Sequence, residues 1–292
     1  MSKNKAFSLI EVAVVVLIMG ILIAGITTYS SLIQKFSLLT AASITKSSPV
    51  LGIYGLEAWY ETSLSESFKS DEASNGSYIT QWRDINPNST SSILAKPNAP
   101  SNRPKYIEGA LVGLPAVRFD GVDDFLIASG LSIISKQITV FMVAKRRAVS
   151  YTTAGLSFVP SSALRDYDND KSFAAFYESV DGKILQTYSN KVLSTASHPG
   201  TGIAYIVETV FDGTKNTLYL NGIASPSVNT SSVLEINKIY MGVRVLTAAE
   251  AAYIGYYNGD IAEIIVFSRV LKTEDRKLVE KYLSKKYSIK IS

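Results

Sequence analysis

The amino-acid sequence predicts a mainly β protein: a long N-terminal helix followed by a large β-sandwich that ends in a helix. Three observations lead to this prediction. Residues 7–48 contain no proline and begin with a long apolar run. Beyond Pro49, short segments rich in Val, Ile, Tyr and Phe alternate with turns of Gly, Asn, Asp and Ser. Close to the C-terminus, apolar residues recur with the period of a helix.

The composition excludes several classes of protein. The 292 residues are 47% hydrophobic and 18% charged, which is too apolar for a disordered chain. Residues 49–292 hold 25 basic and 24 acidic side chains, so a basic face that binds nucleic acid is not expected. The absence of cysteine excludes disulfides, thiolate metal sites and a cysteine nucleophile. The single histidine, His198, excludes a multi-histidine metal site and lies in a predicted turn.

The N-terminal segment is predicted to cross a membrane. Residues 7–26 form an apolar run that is about 30 Å long as a helix, which matches one bilayer core. Lys3 and Lys5 precede the run without an acidic neighbour, which places the N-terminus in the cytoplasm by the positive-inside rule. The rest of the chain is therefore expected outside the cytoplasm.

The same helix is predicted to continue beyond the apolar run. Apolar side chains recur three and four residues apart at Tyr29, Leu32, Ile33, Phe36 and Leu39. This spacing places them on one face of a helix. We therefore predict one helix over residues 7–48, with a membrane-spanning first half and an amphipathic second half.

Glu11 is the one ionisable residue of the apolar run. A charged side chain costs about 2.5–3.5 kcal/mol at the centre of a bilayer and less near its edge. Two interpretations are open from the residues alone. Either Glu11 reaches the cytoplasmic interface, because it is only five residues into the run, or it has a positively charged partner in an assembled state.

The motif Lys5-Ala6-Phe7-Ser8-Leu9-Ile10-Glu11, followed by an apolar helix, resembles the class III leader of type IV pilins and type II secretion pseudopilins. The resemblance implies that residues 1–6 are a leader, which prepilin peptidase removes by cutting between Ala6 and Phe7. It also implies that Phe7 is N-methylated, and that Glu11 pairs with the free amine of Phe7 on a neighbouring subunit and so fixes axial register. Two features depart from the family: Ala6 stands where glycine is usual, and the helix-interior proline of many major pilins is missing.

Residues 49–55 are predicted to be a linker, and residues 56–292 a single β-sandwich or jelly roll. The predicted strands are Leu56–Tyr60, Ala116–Phe119, Phe125–Ala128, Ile138–Ala144, Ile203–Phe211, Thr217–Leu220, Ile239–Gly242 and Ile261–Phe267. The segment Ile138–Ala144 is apolar on both faces, as expected for a strand inside a sandwich. Asn221-Gly222 predicts a tight hairpin turn.

One helix is predicted at the end of the sandwich. Thr273 is expected to cap its N-terminus. Its buried side is expected to consist of Leu278, Val279, Tyr282 and Leu283.

Several motifs of residues 56–292 resemble the concanavalin A-like lectin/glucanase superfamily, in its laminin-G-like branch. They occur in the family's order: Leu56–Tyr60, Gln81–Asp84, Leu114–Leu126, Asn216–Gly222, and the tail from Gly259 to Tyr287. The resemblance implies that a lectin-like head replaces the small head usual for pilins. Such a head binds carbohydrate or a surface protein, and no residue motif identifies the ligand-binding site.

The sequence assigns no catalytic residues. Retaining glycosidases need two carboxyl groups about 5–5.5 Å apart. Glucanases of the superfamily commonly supply them from a Glu-x-Asp-x-Glu strand, and this triplet is missing. Glu57 and Glu61 have no acid between them, and Asp260 and Glu263 are expected on opposite faces of a strand. We therefore expect that the protein is not an enzyme.

A candidate calcium site lies at Asp166, Asp168 and Asp170, three carboxylates at alternate positions. The pattern departs from an EF-hand, because Lys171 stands where glycine is needed. A solvated acidic loop is the alternative interpretation, so no cofactor is required. A second acidic turn, which includes Asp120 and Asp124, is interpreted as structural.

Three functional hypotheses follow from the sequence. The first is a minor pilin or pseudopilin-like subunit of a type IV pilus or type II secretion system. It is anchored in a bacterial inner membrane, with its head in the periplasm, or outside the cell when assembled into a filament. The second is a monomeric, membrane-tethered domain that binds carbohydrate or protein, and the third is a surface glycan hydrolase.

Overall fold

The structure is a computed structural model. It describes residues 9–89, 93–148, 153–160, 166, 171–179, 183–188, 191–229, 233–245 and 253–292. The described residues form two α-helices, α1 (Leu9–Lys46) and α2 (Thr273–Tyr287).

Nineteen strands occur in the described part of the chain. They are β1 (Leu56–Glu61), β2 (Trp82–Arg83), β3 (Leu94–Lys96), β4 (Lys105–Leu111), β5 (Leu114–Asp120), β6 (Leu126–Ser135), β7 (Ile138–Arg146), β8 (Thr153–Val159), β9 (Phe173–Glu178), β10 (Lys183–Tyr188), β11 (Lys191–Ser197), β12 (Ala204–Phe211), β13 (Lys215–Leu220), β14 (Ile223–Ala224), β15 (Val228–Asn229), β16 (Leu234–Met241), β17 (Arg244–Val245), β18 (Tyr253–Ile254) and β19 (Asn258–Phe267).

The long N-terminal helix is present as one continuous element. Helix α1 runs without a break for 38 residues, as the proline-free sequence predicts. Within the described residues, no helix is both long enough and apolar enough to cross a membrane.

The strands form two large antiparallel sheets, which confirms the predicted mainly β architecture. The nine-stranded sheet has the order β14-β13-β12-β7-β19-β5-β4, with β1 also pairing with β19 and β15 with β13. The eight-stranded sheet has the order β11-β10-β9-β8-β16-β6-β3-β2, and β17 and β18 form a separate pair.

The main core lies between the two sheets. Tyr60, Phe119 and Met142 of the nine-stranded sheet and Leu126 and Phe158 of the eight-stranded sheet belong to this cluster. Burying such large side chains stabilises the fold by about 1.5–3 kcal/mol each. This cluster therefore holds the two sheets together.

A second core lies on the outer face of the nine-stranded sheet. Val279 and Leu283 of α2 pack there against Phe141 of β7 and Ile265 of β19. Strand β7 is consequently buried on both faces, as the apolar run at 138–144 predicts. The last turns of α1 join this cluster through Ala41.

The expected linker at 49–55 also packs on the second core. Its first residues form a short 3₁₀ turn, Val50–Gly52, and Val50 is fully buried. Ile53 is buried in the same cluster. The path from α1 into β1 is therefore held against the sandwich.

Two details of the C-terminal helix differ from the prediction. Thr273 is the first helical residue and not the cap, because Lys272 occupies the cap position and no side chain caps the helix. Leu278 is 47% exposed. With 3.6 residues per turn it lies about 140° around the helix from the buried Leu283, so it faces away from the sheet.

Candidate functional site

The apolar stripe of α1 is defined here as Tyr29, Leu32, Ile33, Phe36 and Leu39. All five side chains are exposed in the single chain, and Tyr29 and Phe36 are each 67% exposed. Large apolar side chains nearer the N-terminus, among them Ile10, Val16 and Ile23, are exposed as well. An exposed apolar surface that extends along a helix in this way is typical of a segment that packs against a membrane or another protein.

The predicted processing and register residues belong to the same end of the chain. Ala6 and Phe7 lie outside the described residues. Glu11 is on α1, but its side chain is outside the described set. The roles of these three residues therefore remain predictions.

The last turns of α1 are attached to the sandwich by a buried hydroxyl. Thr45 is 2% exposed and donates to the Ala41 carbonyl at 3.0 Å. The Thr45 Oγ1 atom also lies 3.3 Å from the Ser63 hydroxyl and 3.3 Å from the Tyr282 hydroxyl. Both neighbours belong to a buried polar network, so α1 is connected directly to the interior of the head.

The centre of this network is the ammonium group of Lys286. Its Nζ lies 2.8 Å from Glu61 Oε2 and 2.8 Å from Glu263 Oε2, and all three side chains are buried. Glu61 ends β1, Glu263 lies in β19, and Lys286 is in the last turn of α2. One cation therefore links β1 to β19 and α2, which lie about 200 residues further along the chain.

The network favours the charged forms of Glu61 and Lys286. Burial alone would raise the pKa of Glu61, but Lys286 and hydrogen bonds from Ser63 outweigh it and hold this pKa below its usual value. Burial alone would lower the pKa of Lys286, but Glu263 and Glu61 raise it. Each charge thus depends on its oppositely charged neighbours.

The carboxylates of Glu61 and Glu263 also accept hydrogen bonds from neutral donors. Glu61 accepts from the backbone N–H of Ser63 at 2.8 Å and from that of Leu64 at 2.7 Å. Glu263 accepts from Trp59 Nε1 at 2.7 Å and from the hydroxyls of Tyr282 and Tyr287. Groups so fully bonded and buried are suited to holding structure, because they present no free oxygen to a substrate.

The prediction that Asp260 and Glu263 point to opposite faces of a strand is wrong. A register shift between Ile261 and Glu263 marks a β-bulge in β19. Ile261 and Ile264 both face the main core, so Asp260, which precedes Ile261, lies on the outer side, and the bulge places Ala262 and Glu263 on that side as well.

Asp260 is paired with two cations on the same sheet. It binds Arg118 through two hydrogen bonds of 2.6 and 3.0 Å. Lys145 Nζ lies 3.3 Å from its second oxygen. Asp260 is fully buried, so it too is engaged in an ionic cluster.

The predicted calcium ligands are described only in part. Asp168 and Asp170 lie outside the described residues. Asp166 is fully buried, and its carboxylate binds Arg244 at 3.0 Å and Ser157 at 2.6 Å. It would have to leave these partners to bind a metal ion, and the calcium site remains a prediction.

The second acidic turn has the structure that its sequence suggests. Asp120 Oδ1 accepts from the backbone N–H of Val122 at 2.8 Å, and Gly121 has a φ of 81°. Ligand atoms of Asp120, Asp123 and Asp124 lie within 4.8 Å of one another. Burial, together with the charges of Asp120 and Asp123, raises the pKa of Asp124 to about 7.

A buried cluster around His198 was not expected from the sequence. His198 Nδ1 accepts from the Gly200 N–H at 2.9 Å, so Nε2 carries the proton and donates to Glu178 Oε1 at 3.1 Å. The same oxygen accepts a hydrogen bond from the Tyr205 hydroxyl at 2.6 Å. The Tyr257 hydroxyl lies 3.2 Å from the Tyr205 hydroxyl. Burial and the Glu178 charge raise the pKa of Tyr205. No local sequence pattern indicates this cluster, because its members come from four separate segments.

One groove combines open volume with polar walls. It encloses about 200 Å³ and is lined by Leu56, Glu57, Asn86, Asn88, Ser89, Ile93, Gly130, Leu131 and Ser132. We call it the polar groove. Its amide, hydroxyl and carboxylate groups offer both hydrogen-bond donors and acceptors.

Comparison of sequences supports the predicted leader. Residues 1–27 match the family described as the prokaryotic N-terminal methylation motif. The match supports a pilin-type N-terminus, with processing by prepilin peptidase and assembly with other pilins. None of the curated proteins compared with the chain matches it in sequence.

Comparison of structures concerns the fold. The chain is similar to a sialidase from Trypanosoma rangeli in complex with 2,3-difluoro-KDN, with a TM-score of 0.53 and 11% identity over 80% of this chain and 33% of the sialidase. A mutant of that sialidase displaying trans-sialidase activity gives a TM-score of 0.53 and 11% identity, over 86% of this chain and 38% of the mutant. Domain 4 of a GH43 extracellular arabinanase from Geobacillus stearothermophilus gives a TM-score of 0.48 and 15% identity, over 77% of this chain and 98% of that domain. This chain thus spans about a third of the sialidase's length, and at 11% identity the likeness shows the fold alone.

Replacing the central ammonium tests the buried network. We expect Lys286→Met to lower the free energy of unfolding by about 3–5 kcal/mol, because two buried carboxylates lose their cation. Urea unfolding of the full chain, followed by tryptophan fluorescence, measures the change, since Trp59 donates to Glu263. Lys285→Met is the matched control, because Lys285 is the exposed neighbour in the sequence, and we expect a change within about 0.5 kcal/mol. Equal stability of the two variants would contradict the role given to Lys286.

Proposed function

We propose that the chain is a minor pilin or pseudopilin-like subunit of a type IV pilus or type II secretion system that displays a lectin-like head outside the cytoplasm. The proposal is supported by the exposed apolar stripe of α1 and by the contact of its last turn with the head. The helix that bears the methylation motif exposes its apolar stripe, while its last turn is fixed to the head through Thr45. Such a subunit is suited to holding its head at a set position on an assembly.

The exposed apolar side chains of α1 are unfavourable in water. Burying a large apolar side chain is worth about 1.5–3 kcal/mol, so the stripe and the apolar first half of α1 favour a non-aqueous environment. Before assembly this environment is the inner membrane, with residues 7–26 spanning it once and the N-terminus in the cytoplasm. After assembly it is the helix bundle of a filament, which brings the head outside the cell.

Glu11 sets the register within that bundle. Removal of residues 1–6 frees the amine of Phe7, and this amine on one subunit compensates the Glu11 carboxylate on the next. A charge in an apolar bundle is costly unless it is paired, so only the register that pairs the two groups is favoured.

The head is proposed to be a concanavalin A-like, laminin-G-like domain that binds carbohydrate. The sequence motifs of 56–292 and the shared fold with the sialidase support this class. Binding without turnover is favoured because Glu61, Glu263 and Asp260 are each engaged by cations in buried clusters. The polar groove is the proposed position of the sugar, since hydroxyl groups of a sugar need donors and acceptors of the kind that line it.

Assembly is tested at the N-terminus. We expect mass spectrometry of the mature protein to find an N-methylated Phe7 as its first residue. We also expect Glu11→Ala to leave membrane insertion intact but to reduce the amount of the chain in sheared filaments by about tenfold, because the paired charge is worth more than about 1.4 kcal/mol.

Glu66→Ala is the control for this experiment, because Glu66 is an exposed glutamate of the head. It should enter filaments as the unchanged protein does. A mature chain that begins at Met1, or unchanged incorporation of Glu11→Ala, would favour the monomeric membrane tether instead.

A further inference from the structure

The polar groove has a single charged group among its described lining residues. Of the nine that line it, Glu57 alone carries an ionisable side chain, and the other polar members are asparagines and serines. The groove encloses about 200 Å³, less than the roughly 300–1,000 Å³ of pockets that enclose drug-sized molecules. It therefore has room for one sugar ring rather than for a long segment of polysaccharide.

The Glu57 carboxylate is oriented by one hydrogen bond and has no cationic partner among the described residues. Its Oε1 accepts from the Ser268 hydroxyl at 2.6 Å. Its Oε2 makes no hydrogen bond to any residue that the structure describes. Glu57 thus differs from Glu61 and Glu263, because it keeps an oxygen that can accept a hydrogen bond from a ligand.

The cation that follows Ser268 in the sequence does not neutralise Glu57. The Arg269 guanidinium lies over the Tyr54 ring, 5.8 Å from its centroid. Its Nε donates to the Val270 carbonyl at 3.4 Å. The charge of Glu57 therefore remains available to act on a ligand.

A second carboxylate lies next to the groove wall. Asp84 is 3% exposed, and its Oδ1 accepts from the backbone N–H of the lining residue Asn86 at 2.9 Å. Burial raises the pKa of Asp84 to about 6, so this group still carries a negative charge at pH 7.5. Two carboxylates, with no cation among the described lining residues, give the groove a negative potential.

The rest of the wall consists of neutral polar groups and aliphatic carbon. Asn88 and Ser132 are exposed and offer an amide and a hydroxyl group. Leu56, Ile93 and Leu131 supply apolar surface. A sugar ring carries hydroxyl groups on its rim and C–H groups on its faces, so it matches a wall of this mixed composition.

We infer that the polar groove binds an uncharged sugar and that Glu57 is the residue that excludes acidic sugars. The inference rests on the proposed function and names the ligand class of the proposed sugar site. The free oxygen of Glu57 accepts a hydroxyl hydrogen of a neutral sugar in a charge-assisted hydrogen bond. A sugar that carries a carboxylate places a second negative charge against Glu57, without a cation to offset it, and is disfavoured.

Ligand-observed NMR of the full chain tests the inference, at pH 7.5 in a detergent without a sugar headgroup. The probes are the methyl glycosides of glucose, galactose, mannose, arabinose, glucuronic acid, galacturonic acid and sialic acid, with glucosamine as a cationic probe. Each uronic acid differs from its neutral counterpart only by a carboxylate at C6, so the comparison isolates charge. We expect at least one neutral glycoside to bind, and each acidic probe to bind at least about tenfold more weakly.

Three variants assign the preference to Glu57. Glu57→Gln keeps the shape of the side chain and removes its charge, so neutral binding should weaken by about tenfold and approach the affinity for the acidic probes. Ser132→Ala removes a neutral hydroxyl of the groove, so binding should weaken by about threefold while the ratio between neutral and acidic probes is kept. Glu66→Gln makes the same substitution at an exposed glutamate that does not line the groove, and it should change neither quantity.

Stronger binding of an acidic probe or of glucosamine than of every neutral glycoside would overturn the inference. A preference for neutral sugars that Glu57→Gln leaves unchanged would overturn it as well. Either result still shows a head that binds sugar, so the proposed function stands. If none of the probes binds, the carbohydrate-binding role of the head fails, and the inference fails with it.

Discussion

The buried ammonium of Lys286 is the interaction on which the rest of the structure depends. It lies between Glu61 and Glu263 and so joins β1, β19 and α2 at one point. Burying three charges is favourable only where they compensate one another and their remaining hydrogen-bonding atoms find partners. Thr45 of α1 lies 3.3 Å from the Tyr282 hydroxyl of the same network, so the last turns of the N-terminal helix contact the interior of the head.

This arrangement separates the two proposed roles of the chain, which are assembly through α1 and display of the head. The end of α1 contacts the head through Thr45 and through Ala41 in the second core, while the side chains of its apolar stripe are 45–67% exposed. A helix that is fixed at one end and exposes an apolar stripe is suited to entering a bundle without disturbing the head. The carboxylates of Glu61 and Glu263 help to hold this junction together.

Local patterns in the sequence predicted the fold better than the site. The uninterrupted helix and the doubly buried strand at 138–144 follow from proline spacing and hydrophobic period. The network of Glu61, Glu263 and Lys286 does not, because it joins residues more than 200 positions apart, and a β-bulge reversed the expected side of Glu263. Leu278 was misplaced because apolar character alone does not show which helix face meets the sheet.

In the proposed assembly, other subunits cover α1 while the sandwich stays outside. The most direct measurement is a helical reconstruction by cryo-electron microscopy of filaments that contain this chain. We expect α1 to lie in the filament core among other helices, with the sandwich on the outer wall and Thr45 at the junction between them. A map in which α1 lies away from other helices, or filaments from which the chain is absent, would contradict this expectation.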